Sequence, residues 1–69
     1  MQPGELRRFK DHHRHYPGQF LLVLEVEAMD TRYTTQTERV TFLVDGIQEF
    51  GWSGELLEQI TEEIGRAHV

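Results

Sequence analysis

The chain has 69 residues, of which 38% are hydrophobic and 28% charged, and it contains no cysteine. This length leaves no room for a second hydrophobic core, so we predict a single domain over residues 1–69 with frayed tails at 1–3 and 66–69. The lack of cysteine excludes disulfides and thiolate metal sites. Self-association is then the main remaining way to stabilise so small a core.

The charge of the chain is unevenly distributed. The net charge is -5, but residues 1–18 carry +2 and the remaining residues carry -7. The negative net charge disfavours attraction of the whole surface to nucleic acid or to anionic membranes. No signal-peptide pattern opens the chain and no apolar run reaches the roughly 18 residues of a membrane span. We therefore expect a cytoplasmic chain without a membrane partner.

The first predicted elements are a weak strand and a loop. Residues 5–10 form a short mixed segment in which Leu6 and Phe9 are the apolar anchors. Residues 11–18 are polar and end in Pro17-Gly18, a pair typical of turns because proline presets φ and glycine tolerates positive φ. The sequence thus predicts a polar loop between this strand and the next.

The clearest strand pattern spans residues 20–29. Apolar residues alternate with period two, which places on one face of the strand Phe20, Leu22, Leu24, Val26 and Ala28. The opposite face is apolar at first and charged later, which is typical of a long, bent strand that leaves a two-sided core. The polar residues 30–36 that follow form either a hairpin loop or two irregular strand ends.

A hairpin is predicted around Asp45-Gly46. Residues 37–44 alternate again, and Asp-Gly between two such segments is a strong hairpin signal. A two-residue turn places Phe42 opposite Glu49, which sets a carboxylate among apolar side chains. We therefore predict a three-residue, bulged turn with Gly46 in the left-handed conformation and Val40 opposite Phe50.

The end of the chain has helical periodicity. Ser53 is a suitable cap and Glu55 favours a first turn, while Leu57, Ile60 and Ile64 fall on one helical stripe. Gly65 is a typical stop signal. The pattern predicts a helix over residues 54–64.

The order of these elements is similar to that of a known family over about residues 4–61. The segments that carry the similarity are 4–9, 20–26, 40–43, Asp45-Gly46, Gly51-Trp52 and 57–60. This order resembles small SH3-like barrel proteins of the KOW style, found as short open reading frames in bacteria and tailed phages. The resemblance implies a mainly β barrel of about five strands. It also implies a last strand at residues 57–61 after one turn of 3₁₀ helix, as an alternative to the longer helix. Both interpretations bury Leu57 and Ile60.

The histidine-rich loop is the one candidate for metal chemistry. Neutral imidazoles bind zinc, copper and nickel, and His12, His13 and His15 lie close together in the sequence. Three ligands crowded into one loop rarely complete a tetrahedral site, and Arg14 repels a cation. We predict neither a metal nor another cofactor.

No nucleophile and base are suitably spaced, and no phosphate-binding loop is present, so we do not expect an enzyme. We predict a non-catalytic module for protein interaction or self-assembly, because exposed aromatic residues dominate protein interfaces. The alternative is nucleic-acid binding, in which the cations contact phosphates and Tyr16 stacks on a base. For Trp52 the competing interpretation is a core residue. The candidate partner-binding residues are Arg7, Arg8, His13, Arg14, Tyr16, Phe50 and Trp52.

Overall fold

The computed structural model of the chain describes residues 1–30, 32–33, 35, 37–62 and 64–66. Five antiparallel strands form one sheet in the order β4-β3-β2-β1-β5, accompanied by one short helix. The predicted mainly β fold with about five strands is confirmed. The elements are β1 (Glu5–Arg8), β2 (Phe20–Ala28), β3 (Glu38–Val44), β4 (Ile47–Trp52), α1 (Ser53–Gln59) and β5 (Gly65–Arg66).

The core lies on one face of the sheet, under α1 and the loop of residues 11–18. Its centre is Phe9, whose ring lies 6.0 Å from the ring of Phe42 and 5.6 Å from that of Tyr16. Complete burial of each large apolar side chain contributes about 1.5 to 3 kcal/mol of transfer free energy. The buried apolar residues are Phe9, Leu21, Val23, Val40, Phe42, Val44, Leu56 and Ile60.

A bulge in β2 decides which of its side chains reach this core. Val23 pairs with Phe42 and Glu25 pairs with Thr41, so the register shifts between Val23 and Glu25. One extra residue reverses the alternation of faces. The side chain of Val23 therefore points to the core before the bulge, and that of Val26 packs on the core after it.

The two-sided core predicted at the start of β2 is covered on one face only. Leu21 and Val23 are fully buried there, whereas Phe20 is 58% exposed. The period-two pattern contains two apolar faces in this half of the strand and does not show which one is covered. The predicted long, bent strand agrees with the bulge, because a bulge bends the strand that carries it.

The hairpin between β3 and β4 has a two-residue turn, so the predicted bulged turn is wrong. Val44 pairs with Ile47, and Phe42 pairs with Glu49. Asp45 has φ 52° and Gly46 has φ 74°. Positive φ at both central residues is the type I′ geometry, whose twist matches that of the flanking strands.

The register rejected from the sequence is tolerated because Glu49 has a partner. Glu49 is only partly buried on edge strand β4, and its Oε1 atom accepts a hydrogen bond of 3.2 Å from the hydroxyl group of Tyr16. The carboxylate beside Phe42 is thus neither unpaired nor fully removed from water. The loop of residues 11–18 supplies this partner from a distant part of the sequence.

The C-terminal segment combines the two predicted interpretations. α1 ends at Gln59, after which Ile60 forms an isolated bridge with Phe9 and the Thr61 amide donates to the Arg8 carbonyl over 2.8 Å. Leu56 and Ile60 are buried, while Leu57 is 46% exposed, so the predicted burial of Leu57 is wrong. The early end of the helix separates Ile64 from the helical stripe. No helix in the described ranges is long and apolar enough to cross a membrane.

The predicted frayed tails differ from the structure in part. Met1 packs against the core, and the Gly4 amide donates to the Val23 carbonyl over 2.8 Å. At the other end Arg66 pairs with Glu5 in the β1–β5 ladder. Residues 67–69 lie outside the described residues, as do residues 31, 34 and 36 of the predicted segment 30–36.

The turn geometry gives a stability prediction for Gly46. Gly46→Ala adds a Cβ at φ 74°, so we expect the free energy of unfolding to fall by about 1 kcal/mol. Gly54→Ala is the matched control because its added Cβ meets nothing within 4 Å in α1, and alanine favours a helix. Urea titration followed by circular dichroism measures both variants. An equal loss of stability in the two would contradict the assigned turn.

Candidate functional site

The seven predicted partner-binding residues lie in two regions. Phe50 and Trp52 belong to the first, the β4 edge, which we define as strand β4 with its unpaired side. The second region, the loop surface, consists of Arg7, Arg8, His13, Arg14 and Tyr16. The hydrogen bond from the Tyr16 hydroxyl to Glu49 connects the two regions.

Arg7 is directed into the fold. Its Nε atom donates to Glu5 Oε2 over 3.0 Å, and its Nη1 atom donates to the Thr61 carbonyl over 3.2 Å. Glu5 is buried, and Arg66 Nη2 lies 3.9 Å from its other carboxylate oxygen. A buried carboxylate requires such partners. Arg7 therefore stabilises the junction of β1 with the C-terminal segment.

Arg8 closes the base of the loop. Its Nε atom donates to the Gly18 carbonyl over 3.1 Å and its Nη2 atom to Asp11 Oδ1 over 2.8 Å. Gly18 has φ 70°, and a Cβ there would lie 3.2 Å from Asp11 Oδ1. The predicted Pro17-Gly18 turn thus has the glycine geometry that the sequence implied. Arg8 holds both ends of the loop while part of its side chain stays in solvent.

His13 fixes the middle of the loop on the core. Its ring centroid lies 4.3 Å from that of Phe9. The Nδ1 atom accepts hydrogen bonds from the amides of Tyr16 and His15 over 2.9 and 3.3 Å, and Nε2 lies 3.1 Å from Gln59 Oε1. Because Nδ1 accepts, these partners assign the ring proton to Nε2. His13 therefore connects the loop to α1.

Tyr16 has both a packing and a polar role. Its ring is stacked on His13 with a centroid separation of 6.0 Å and an interplanar angle of 11°. Burial raises the pKa of its phenol above the ordinary value, and the hydrogen bond and charge of Glu49 raise it further. The phenol remains protonated at neutral pH and donates to the Glu49 carboxylate.

A shallow pocket of about 390 Å³ lies between the loop and α1. Its basic side belongs to the loop and its other side to two residues at the end of the helix. In the described part of the chain, no three histidine or carboxylate side chains come together to hold a metal ion. The residues around the pocket are Lys10, His12, His13, Arg14, His15, Glu58 and Gln59.

The β4 edge presents aromatic surface to solvent. Phe50 is 58% exposed, and the guanidinium carbon of Arg39 lies 5.2 Å from the centre of its ring. Trp52 is half-buried and precedes α1 at the N-cap position. A shallow pocket borders this region between β4 and α1, with Phe42 and Leu56 among its lining residues. The aromatic side chains therefore lie beside an open cleft.

The backbone of β4 also has unsatisfied hydrogen-bonding positions. In a hairpin with a two-residue turn, Val44 and Ile47 exchange hydrogen bonds, and the direction then alternates along the strand. The amide and carbonyl groups of Gln48 and Phe50 consequently point away from β3. Among the described strands, none pairs with this side of β4.

Sequence reasoning missed two contributors to this edge, the outward backbone groups and the position of Arg39 over Phe50. Once a two-residue turn is assumed at Asp45-Gly46, the outward set follows from alternation alone. The cation over the ring follows from pairing of Arg39 with Trp52, close to Phe50.

Comparison of the chain with protein-family models, curated proteins and solved structures gave no match. The function is accordingly inferred from the chain's own residues.

The contacts of His13 predict a difference between neighbouring histidines. His13→Ala removes the ring on Phe9 and the acceptor of two amides, so we expect a loss of about 2 kcal/mol in the free energy of unfolding. His12→Ala changes an exposed side chain and should stay within about 0.5 kcal/mol of the parent. Chemical denaturation at pH 7.5 measures both, and equal effects would disprove the anchoring role.

Proposed function

We propose that this chain is a non-catalytic protein-interaction module that binds its partner through the β4 edge. The observation that carries the proposal is the exposure of Phe50, 58%, in the middle of a strand whose outward backbone groups are unpaired in the described sheet. Aromatic anchors supply affinity at interfaces, and strand pairing supplies directional hydrogen bonds.

The surroundings of Phe50 support this role. The pocket between β4 and α1 gives a partner side chain an apolar floor made by Phe42 and Leu56. Trp52 lies at its border, and the cation of Arg39 stays over the Phe50 ring. A rigid aromatic group at a cleft loses little conformational freedom when it binds, so more of its burial appears as affinity.

The loop surface supports the proposal in a different way. Arg7 and Arg8 are used in contacts within the chain, and His13 and Tyr16 pack on Phe9. Arg8, His13 and Tyr16 hold the loop in place, with Tyr16 positioning Glu49, while Arg7 stabilises the junction of β1 with the C-terminal segment. We assign them to organising the module, whereas Arg14 is an exposed cation at the rim of the shallow pocket beside the loop.

One observation favours the alternative of nucleic-acid binding. The cations Lys10 and Arg14 line the same shallow pocket as three histidines, so a phosphate backbone has several potential contacts there. Glu58 borders the same pocket, and the chain as a whole is acidic. Both features weaken attraction to a polyanion. We therefore place this function second.

The relation to SH3-like barrels and the cytoplasmic location stay predictions. The relation to SH3-like barrels is supported by the position of α1, which follows β4 and precedes the bridge between Ile60 and Phe9. The resemblance implied a helical turn at this place, before the last strand. The expectation that the chain is not an enzyme likewise remains part of this proposal.

A capture experiment with matched variants tests the proposed function. The full chain is immobilised, and proteins retained from a native lysate are quantified for the parent, Phe50→Ser and Leu57→Ser. Leu57 is the control because it is an exposed apolar residue on α1. We expect Phe50→Ser to reduce the captured partner about tenfold or more, as for an aromatic hot spot, and Leu57→Ser to retain it.

Equal capture by Phe50→Ser and the parent would contradict the proposal. Nucleic acid retained in a strongly salt-dependent way, lost with Arg14→Ala but kept with Phe50→Ser, would establish the alternative in its place.

A further inference from the structure

Strand β4 lacks most of the features that keep sheet edges apart, and its one inward-facing charge, on Glu49, is paired with Tyr16 within the chain. It has six residues, its register with β3 runs without a shift, and its sequence contains no proline or lysine. Natural edge strands are usually protected by such residues, by bulges or by a short length. The other edge strand, β5, has only two residues. β4 is thus the edge of this sheet that is suited to pairing.

A strand that pairs antiparallel with its own copy must match outward residues with outward residues. For β4 the outward residues include Gln48 and Phe50, as established above. Two central registers meet this condition. In one the two-fold axis passes beside Glu49, and in the other it passes beside Phe50.

The side chains distinguish these two registers. An axis at Glu49 places the two Glu49 carboxylates directly opposite each other, which is destabilising. An axis at Phe50 places Glu49 opposite Gly51, which has no side chain, and pairs the two Phe50 rings. Aromatic cross-strand pairs are favourable. The sequence of β4 is therefore self-complementary about Phe50.

We infer that β4 pairs with β4 of a second copy of this chain, antiparallel about a two-fold axis at Phe50. The pairing joins two five-stranded sheets into one continuous sheet. This inference rests on the proposed function and names its partner as a second copy. The Glu49 carboxylate already has Tyr16 of its own copy as a partner, and the cleft between β4 and α1 leaves space along the edge.

The pairing supplies what a chain of 69 residues lacks. A small core gives limited stability, and without cysteine the chain has no disulfide to add. In the dimer, the outward backbone groups of Gln48 and Phe50 gain partners, and an aromatic side chain that is 58% exposed in one copy is covered. The pairing also removes the exposed edge.

Sedimentation equilibrium from low to high micromolar concentration tests the pairing. The parent should approach twice the chain mass of 8.1 kDa. Gln48→Pro removes a backbone N–H group that points outward, and it leaves the hydrogen bonds between β3 and β4 intact. It should therefore raise the dimer dissociation constant at least about tenfold. Gln48→Ala removes the side chain but keeps the backbone N–H group, so this variant should dimerise like the parent. Circular dichroism spectra of both variants verify that they are folded.

Cross-linking tests the register. Because the chain has no cysteine, Phe50→Cys and Gln48→Cys each introduce a single thiol. With the axis at Phe50, the two thiols of the Phe50→Cys dimer lie on directly opposed residues, about 5.5 Å apart between Cα atoms and within disulfide range. In the Gln48→Cys dimer, by contrast, each residue 48 lies opposite residue 52 of the other copy, so the two thiols are four residues apart along the strands. Mild oxidation should therefore link Phe50→Cys much faster than Gln48→Cys, whereas an axis at Glu49 predicts equal rates.

Three results would overturn the inference: a monomer at every concentration, dimerisation unaffected by Gln48→Pro, or equal cross-linking of the two cysteine variants. A monomer whose captured partner is still lost with Phe50→Ser would disprove the self-pairing and leave the proposed function standing. A monomer that binds a basic, extended peptide at β4 would show that such a peptide, and not a second copy, occupies this edge.

Discussion

The packing around Phe9 is the interaction on which the rest of the structure depends. Its ring contacts the histidine that fixes the loop, lies near the ring of Tyr16, and meets Phe42 from the hairpin across the core. Its backbone also bridges to Ile60, just after the helix ends. One residue thus brings together the loop and the hairpin through its side chain, and the C-terminal segment through its backbone, although these are distant in sequence.

This arrangement divides the surface into a part that organises the fold and a part available for binding. The basic and aromatic residues of the loop surface are largely engaged with the chain itself, through Arg7 on Glu5 and Tyr16 on Glu49. The opposite situation holds at the β4 edge, where Phe50 and the outward backbone groups face solvent. The charge asymmetry of the sequence therefore corresponds to internal ion pairs as much as to a binding surface.

The sequence predicted strands β2 to β4 and the loop well because their signals are local, whereas β5 was not predicted. Period-two alternation and the two turn pairs, Pro17-Gly18 and Asp45-Gly46, depend on a few neighbouring residues. The bulge after Val23 and the register of Glu49 depend on contacts made by distant segments. The reversal of faces has no signal within β2, and the hydrogen bond from Tyr16 has none within β4, the strand that receives it.

The candidate site was predictable to a similar degree. Residue chemistry pointed to Phe50 and Trp52, and both lie together on the β4 edge. The same chemistry also pointed to Arg7, whose guanidinium is instead directed to the buried Glu5. Residue type alone does not distinguish a cation that satisfies a buried carboxylate from one that meets a partner.

Amide hydrogen exchange, measured residue by residue at two protein concentrations, tests most directly whether β4 is the edge of the sheet that binds a partner strand. We expect the amides of Ile47 and Glu49, which bond to β3, to be protected at both concentrations. Those of Gln48 and Phe50 should exchange fast in dilute protein and slowly in concentrated protein. Protection of Gln48 and Phe50 that does not depend on concentration, or concentration-dependent protection confined to the loop of residues 11–18, would contradict the account.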